Sequence, residues 1–248
     1  MTALLACRGL TRRFGGLTAV DEVSLEFAAG EVHAVIGTNG AGKSTLVNML
    51  SGEMPASSGS VHLAGQEITA WAQPRRARAG IGRSYQRTTI FPEFTVFENA
   101  RLCAQAAHAR PWAVWQGAAQ CRDSGAIAEQ ALAAAGLAEA AQRIAGTLSH
   151  GGKRQLEIAM CLATQPRVLL LDEPLAGMGA EETERMLELL GRLKAGHAVL
   201  LVEHDMDAVF RIADVITVMV NGQVIATGAP QAIRTDRQVQ IAYLGEGQ

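Results

Sequence analysis

Long apolar runs are missing from this sequence. Stretches such as residues 168–171 and 198–202 fall far short of the roughly 18 consecutive apolar residues that a bilayer-spanning helix needs, so no membrane span is expected. Residues 1–13 place a basic pair after a short mixed segment rather than ahead of an apolar one, which is unlike a secretory leader, and a cytoplasmic location is expected. An excess of either charge is missing too: 22 Lys and Arg stand against 24 Asp and Glu, a formal net charge of -2, so no polyanion binder is advertised. Cysteine is sparse, and Cys7, Cys103, Cys121 and Cys161 form no C-x-x-C pair. That excludes the usual zinc and disulfide frameworks and leaves packed free thiols. There is no internal repeat. What remains is a chain of 248 residues, 48% apolar and 19% charged, able to bury a core of ordinary globular size.

The pattern of those apolar residues is α/β. Residues 23–27 and 32–36, separated by Ala28, Ala29 and Gly30, read as strands, with another at 60–63 and a helix opening at Gly42. The runs 168–171, 199–202 and 215–220 are rich in Val, Leu and Ile and are separated by amphipathic stretches, as buried parallel strands joined by helices are. Between the two halves, residues 94–148 read as a helical insertion, alanine-rich over 126–141, broken at Gly136 and anchored by Leu132, Leu137 and Ile144. Arg75, Arg76 and Arg78 are expected on a solvated helix face, because the surrounding charge is balanced.

Residues Gly37, Thr38, Asn39, Gly40, Ala41, Gly42, Lys43 and Ser44 fit the pattern of a glycine, four residues, then Gly-Lys-Ser, between a predicted strand and a predicted helix. Glycines let successive N–H groups turn inward toward phosphate oxygens, and the helix N-terminus adds partial positive charge. Lys43 is then expected to reach the β- and γ-phosphates, Ser44 to offer its hydroxyl to Mg²⁺, and Thr45 to lie near the phosphates.

Asp172 and Glu173 follow a buried strand at the end where open α/β sheets place ligand groups. Asp172 is expected to hold the metal shell and Glu173 to orient or deprotonate the attacking water. His204, just beyond residues 199–202, is a second polar group at a strand end, and Gln86 is a candidate for the metal and water contacts. Ser149 is expected to cap a helix through Ile158, Ala159 and Leu162, making a second anion-binding terminus. Since one chain already holds a complete cradle, this terminus makes sense if it serves the nucleotide of another chain, and dimerisation follows.

Taken in order along the chain, these residues resemble the nucleotide-binding domain of ABC transporters. The resemblance implies an antiparallel β subdomain, a RecA-like parallel-sheet core and a helical insertion over about residues 94–160. It also implies a single domain over 1–248, with a C-terminal tail from about 228. It gives Phe14 the role of stacking on adenine, Gly37 to Ser44 that of the Walker A loop, and Gln86 that of the Q-loop glutamine, binding metal and water. Residues 148–152 stand as the signature motif with Ser149 and Gly151 facing the γ-phosphate, Asp172 closes Walker B, Glu173 is the catalytic glutamate, and His204 is the switch histidine. The signature reads Leu-Ser-His-Gly-Gly, with His150 replacing a glycine, and residues 175–179 lack the usual D-loop aspartate. Both departures, together with residues 14–20, 153–159 and 242–245, are similar to ATPase subunits of branched-chain amino-acid and urea or amide importers.

ATP and Mg²⁺ are the implied cofactors. The implied partners are a second ATPase subunit of the same or a sister chain, two permease subunits and, indirectly, an extracytoplasmic solute-binding protein, with no nucleic acid. The implied location is the cytoplasmic face of the inner membrane. Phe91, Pro92 and Phe94 are expected to touch a short helix of a membrane partner. A small-molecule kinase would lack the Ser149 helix, a translation-type ABC protein would normally fuse two such domains, and a binder without turnover would not need Glu173 and His204.

Overall fold

The computed structural model describes residues 3–85, 89–108 and 122–244. Strands β1 (Ala3–Phe14) and β2 (Leu17–Ala28) form an antiparallel hairpin around Gly15 and Gly16. Strand β3 (Val32–Gly37) runs into helix α1 (Lys43–Ser51), and β4 (Ser58–Leu63) and the short β5 (Gln66–Glu67) follow. Helix α2 (Gln73–Arg78) leads to β6 (Ile81–Arg83). The helical part holds α3 (Val96–His108), α4 (Arg122–Ala134) and α5 (His150–Leu162). Then come β7 (Val168–Asp172), α6 (Ala180–Leu193), β8 (Ala198–Val202) and α7 (Met206–Ile212). Strands β9 (Val215–Val220) and β10 (Gln223–Gly228) precede α8 (Pro230–Thr235) and α9 (Arg237–Leu244).

Two sheets carry the fold. The first is antiparallel, in the order β2-β1-β4-β5; the second has the order β10-β9-β3-β8-β7-β6, parallel except for β10 against β9. In β3, β7 and β8 every residue is buried, because both faces are covered. Alternation along β7 divides the work: Val168 and Leu170 join the core shared with Leu5, Phe27, Leu46 and Leu50, while Leu169 and Leu171 join the one shared with Ile158, Leu187 and Leu190. A third cluster binds the helical part, where Ala100, Ala128 and Ala159 let three helices approach around Leu132 and Leu156.

Two expectations change. The strand at residues 3–14 is absent from the sequence reading, because its burial does not alternate: Leu5, Ala6 and Cys7 are all buried, and a register shift beside Gly9 moves the next inward position to Leu10. Arg76 is not on a solvated face. It is 2% exposed, and its guanidinium donates to the carbonyls of Met49, Leu50, Thr69 and Trp71, gathering the C-terminal end of α1. Of the cysteines, Cys7 and Cys161 are buried and Cys103 is half-buried, all as free thiols, while Cys121 lies outside the described residues.

Candidate active site at the strand ends

The parallel register of β3, β8 and β7 sets their carboxyl ends side by side, so the groups that follow each strand meet along one edge. Residues Gly37 to Gly42 curl from β3 into α1, whose first residue is Lys43. Gly42 has φ 99°, and a Cβ there would lie 2.3 Å from the carbonyl oxygen of Ala19, so both conformation and space demand glycine. Asn39, Gly40 and Ser44 are exposed, Thr38 and Thr45 half-buried, and Ala41 buried. Lys43 is 9% exposed, and its Nζ donates to the carbonyls of Gly37 at 2.7 Å and Thr38 at 3.0 Å. Burial lowers its pKa, and the negative charges of Glu173 and Asp172 pull it back up. An ammonium held over a glycine-rich turn at a helix N-terminus has the chemistry of a receptor for phosphate oxygens.

Asp172 closes β7 and is 4% exposed. Its Oδ2 lies 3.9 Å from Nη2 of Arg83, while its Oδ1 is buried with no hydrogen-bond partner. Burial raises its pKa, Arg83 opposes that, Glu173 adds to it and Lys43 opposes it. An orphaned carboxylate oxygen has the chemistry of a ligand for a hard cation, and the exposed hydroxyl of Ser44 has the same chemistry. Among the described residues no cluster of three or more His, Cys, Asp and Glu side chains surrounds a metal-sized space. Oxygens of this kind, one or two from the protein with substrate phosphates and water, are the donor set that Mg²⁺ commonly takes.

Glu173 takes φ 50°, a left-handed conformation uncommon for a residue with a side chain, and its N–H donates to Val202 at 2.9 Å. The turn thus begins bonded to β8 at the edge where His204 emerges. His204 itself is 65% exposed in its side chain. Beneath it lies a group that the sequence reading missed. Glu203 is fully buried; its Oε1 accepts the N–H of Leu175 at 2.8 Å, and its Oε2 accepts the N–H of His204 at 3.1 Å. One carboxylate therefore fixes the segment after Glu173 to the segment carrying His204. Its only sequence signal was a charged residue directly continuing an apolar strand.

Ser149 is the N-cap of α5, as expected, and its Oγ accepts the N–H of Gly152 at 3.1 Å. With Gly151, Gly152, Gln155, Glu182 and Arg185 it lines a cleft that does not include Lys43. The Ser149 terminus and the cradle of the same chain are thus two surfaces, not one pocket. His150, the departure from glycine, folds its Nε2 to 3.0 Å from the carbonyl oxygen of Ala176. Further along α5, Arg154 and Glu157 form a buried pair at 2.9 Å; Arg154 also donates to the carbonyl of Tyr85, and Glu157 accepts the N–H of Thr89. That pair ties the helix to both flanks of Gln86, which lies outside the described residues.

Phe14 ends β1 with 43% of its surface exposed and the guanidinium of Arg12 4.7 Å from its ring centre. Phe91 and Phe94 are exposed and stacked, with ring centres 5.5 Å apart. A groove of 220 Å³ is lined by Gln73, Tyr85, Thr89, Cys103, Glu157 and Met160 among others, and excludes the phosphate loop.

Residues 20–176 match the ABC transporter family, and residues 223–248 match the branched-chain amino acid ATP-binding cassette transporter family. The chain is 41% identical over 251 residues to the high-affinity branched-chain amino acid transport ATP-binding protein BraF of Pseudomonas aeruginosa, covering 98% of each. It is 40% identical to LivG of Escherichia coli K12, a protein of the same description, again over 98% of each chain. Among solved structures, a nucleotide-free ATP-binding cassette of an ABC transporter superposes with a TM-score of 0.87 at 30% identity, covering 98% of this chain and 99% of that one. An ATP-binding cassette of an ABC transporter in its ADP conformation superposes at 0.86 and 29% identity, covering 99% of this chain and all of the other. With a glycine-rich strand-to-helix turn carrying Lys43, paired acids and a capped second helix terminus at these positions, and relatives spanning its length, the chain belongs to the ABC transporter family as an ATP-binding, ATPase cassette.

Proposed function

We propose that this cassette powers the uptake of branched-chain amino acids or closely related amides, as one of two ATPase subunits seated on a pair of permeases at the cytoplasmic face of the membrane. The observation that carries the cargo is the similarity to BraF and LivG along 98% of the chain. The ATPase reading rests on Lys43, Asp172 and Glu173 meeting at the ends of β3 and β7. In this reading the main-chain amides of residues 38–43 and the Lys43 ammonium bind the phosphates of ATP, and Phe14 stacks on the adenine. Ser44, Asp172 and Gln86 would hold Mg²⁺, which neutralises phosphate charge when bound. Glu173 orients the attacking water and accepts its proton, while His204 donates to the terminal phosphate. The Ser149 and Gly151 end of a second cassette closes the site from the other side.

No helix among the described residues is long and apolar enough to cross a membrane; in this reading permease subunits supply the channel. The exposed, stacked Phe91 and Phe94 and the nearby groove are the surface we assign to them. Crosslinking from residue 91 should capture a permease; capture of none would remove that assignment. For the chemistry, Glu173→Gln should lose nearly all ATP turnover while still binding ATP, and undiminished turnover would overturn the assignment. For the cargo, cells lacking this gene should lose uptake of labelled leucine. Unchanged leucine uptake with lost urea or short-amide uptake would favour the other branch of the importer group.

A further inference from the structure

The Ser149 terminus is already filled. A single carboxylate oxygen, Oε1 of Glu182, accepts the Ser149 hydroxyl at 2.9 Å and the Gly151 N–H at 3.2 Å. These are the two groups that the dimer reading assigns to the terminal phosphate of ATP on another cassette. Glu182 belongs to the first turn of α6, and its side chain reaches across to the N-terminus of α5, where a negative charge is favoured. The seat is tight: a Cβ at Gly151 would lie 2.6 Å from Cδ of Glu182. A phosphate oxygen and this carboxylate cannot bond the same two donors together, and two anions so placed would repel.

We propose that Glu182 is an internal ligand of the signature terminus, displaced by the terminal phosphate of ATP on a second cassette, so that it sets the ATP concentration at which the two cassettes close. The inference rests on the dimer reading given above. In the open chain Glu182 keeps the Ser149 hydroxyl and the Gly151 N–H arranged around an oxyanion, so that closure exchanges one anion for another. The displaced carboxylate has somewhere to go. Arg185 lies three residues on along α6, lines the same cleft and is 62% exposed in its side chain; its Nε donates to the Glu181 carbonyl at 3.2 Å and its Nη2 pairs loosely, at 3.8 Å, with the Glu181 carboxylate. The carboxyl is held below its usual pKa by the Ser149 hydroxyl first and by the Gly151 and Gly179 N–H groups after it, so it carries its charge at neutral pH.

A structural role for Glu182 as the third residue of α6 makes the opposite prediction to competition, and glutamine separates the two. Gln serves a helix start much as Glu does but carries no charge. In a Glu173→Gln background, where ATP is retained, Glu182→Gln should lower the ATP concentration giving half-maximal dimer by about threefold, the scale of an exposed ion contact. Dimer is read by light scattering of the full chain, alone and co-expressed with a sister ATPase. With Glu173 intact, the apparent KM for ATP should fall by a similar factor, with a smaller change in kcat. Glu182→Asp, too short to keep both contacts, should move the same way. An unchanged or raised half-maximal concentration for Glu182→Gln, with dimers forming normally, overturns the proposal alone. Absence of any ATP-dependent dimer in Glu173→Gln, with either partner, overturns the dimer reading and this proposal with it.

Discussion

Acid should weaken this fold through one imidazole. His33 lies on β3, is 2% exposed, and places Nδ1 3.2 Å from the carbonyl oxygen of Glu26 on β2 and Nε2 2.7 Å from Oγ1 of Thr217 on β9. It therefore joins the two sheets from the strand that feeds the glycine-rich loop. Burial lowers its pKa from 6.5 to about 4, with the Glu26 carbonyl opposing. Because the folded value lies below the unfolded one, the fold favours the neutral ring. Its contribution is complete above the unfolded pKa and is lost as pH falls toward the folded one. Between about pH 7.5 and about pH 5 the linkage relation with these two values removes about 2 kcal/mol, roughly thirtyfold in the folding equilibrium.

Urea unfolding at both pH values, for the wild type and for His33→Gln, measures the effect. Glutamine does not titrate and can reach one of the two partners. The buried carboxylates Asp172, Glu157 and Glu203 have raised values and act in the other direction, their penalty easing as pH falls. They are common to both proteins, so the difference between the two acid-induced losses isolates His33. The wild type should lose about 2 kcal/mol more than the variant. Equal losses would refute a buried neutral histidine as the acid-sensitive link.

Other substitutions test particular contacts. Glu203→Leu leaves the N–H groups of Leu175 and His204 without their acceptor and should cost about 2 kcal/mol in thermal unfolding, with turnover reduced further than ATP affinity. Glu203→Gln, keeping one acceptor, should recover part of both. Gly42→Ala forces a side chain into φ 99° and against Ala19, and should weaken binding of a fluorescent ATP analogue by roughly tenfold or more. Affinity within twofold of wild type would contradict the cradle's steric account. Arg76→Met removes one donor from each of four carbonyls and should cost about 3 kcal/mol in urea unfolding. A loss below about 0.5 kcal/mol would return Arg76 to the solvated face.

The cradle was legible because its chemistry is local: Gly37 to Ser44 are contiguous, and the strand before them and helix after them carry their own periodicity. Ser149 as a cap was legible for the same reason. The strand at residues 3–14 was hidden because bulges beside Gly9 destroy the alternation by which strands are recognised. Arg76 was misread because a guanidinium can be buried whenever enough carbonyls converge on it, and Met49, Leu50, Thr69 and Trp71 converge only after α1 and the Thr69–Trp71 segment have packed. The partners of Glu182 and Glu203 were hidden on like grounds. Those partners are 33 and 31 residues away for Glu182, and 28 residues away and next door for Glu203; only the folded chain brings them together.

Those two carboxylates bear on a single stretch of chain. Glu173 begins it, bonded through its N–H to Val202. Leu175 donates to Glu203, Ala176 accepts His150, and Glu182 ends the stretch on Ser149 and Gly151. Ten residues thus run from the acid proposed to act on a chain's own ATP to the helix terminus proposed to face the ATP of its neighbour, held by contacts at both ends and in the middle. Along it Pro174 and Leu175 are buried and Gly177 lies beside the His150 ring, while Gly177, Gly179, Ala180 and Glu181 are exposed. If a phosphate evicts Glu182, the first turn of α6 gives up its hydrogen bonds to Ser149 and Gly151, and any shift it makes is carried along the segment that Glu173 begins. Occupancy of one site is then felt as geometry in the other. Such coupling needs no relay across the body of the protein, because the two sites share this segment by construction.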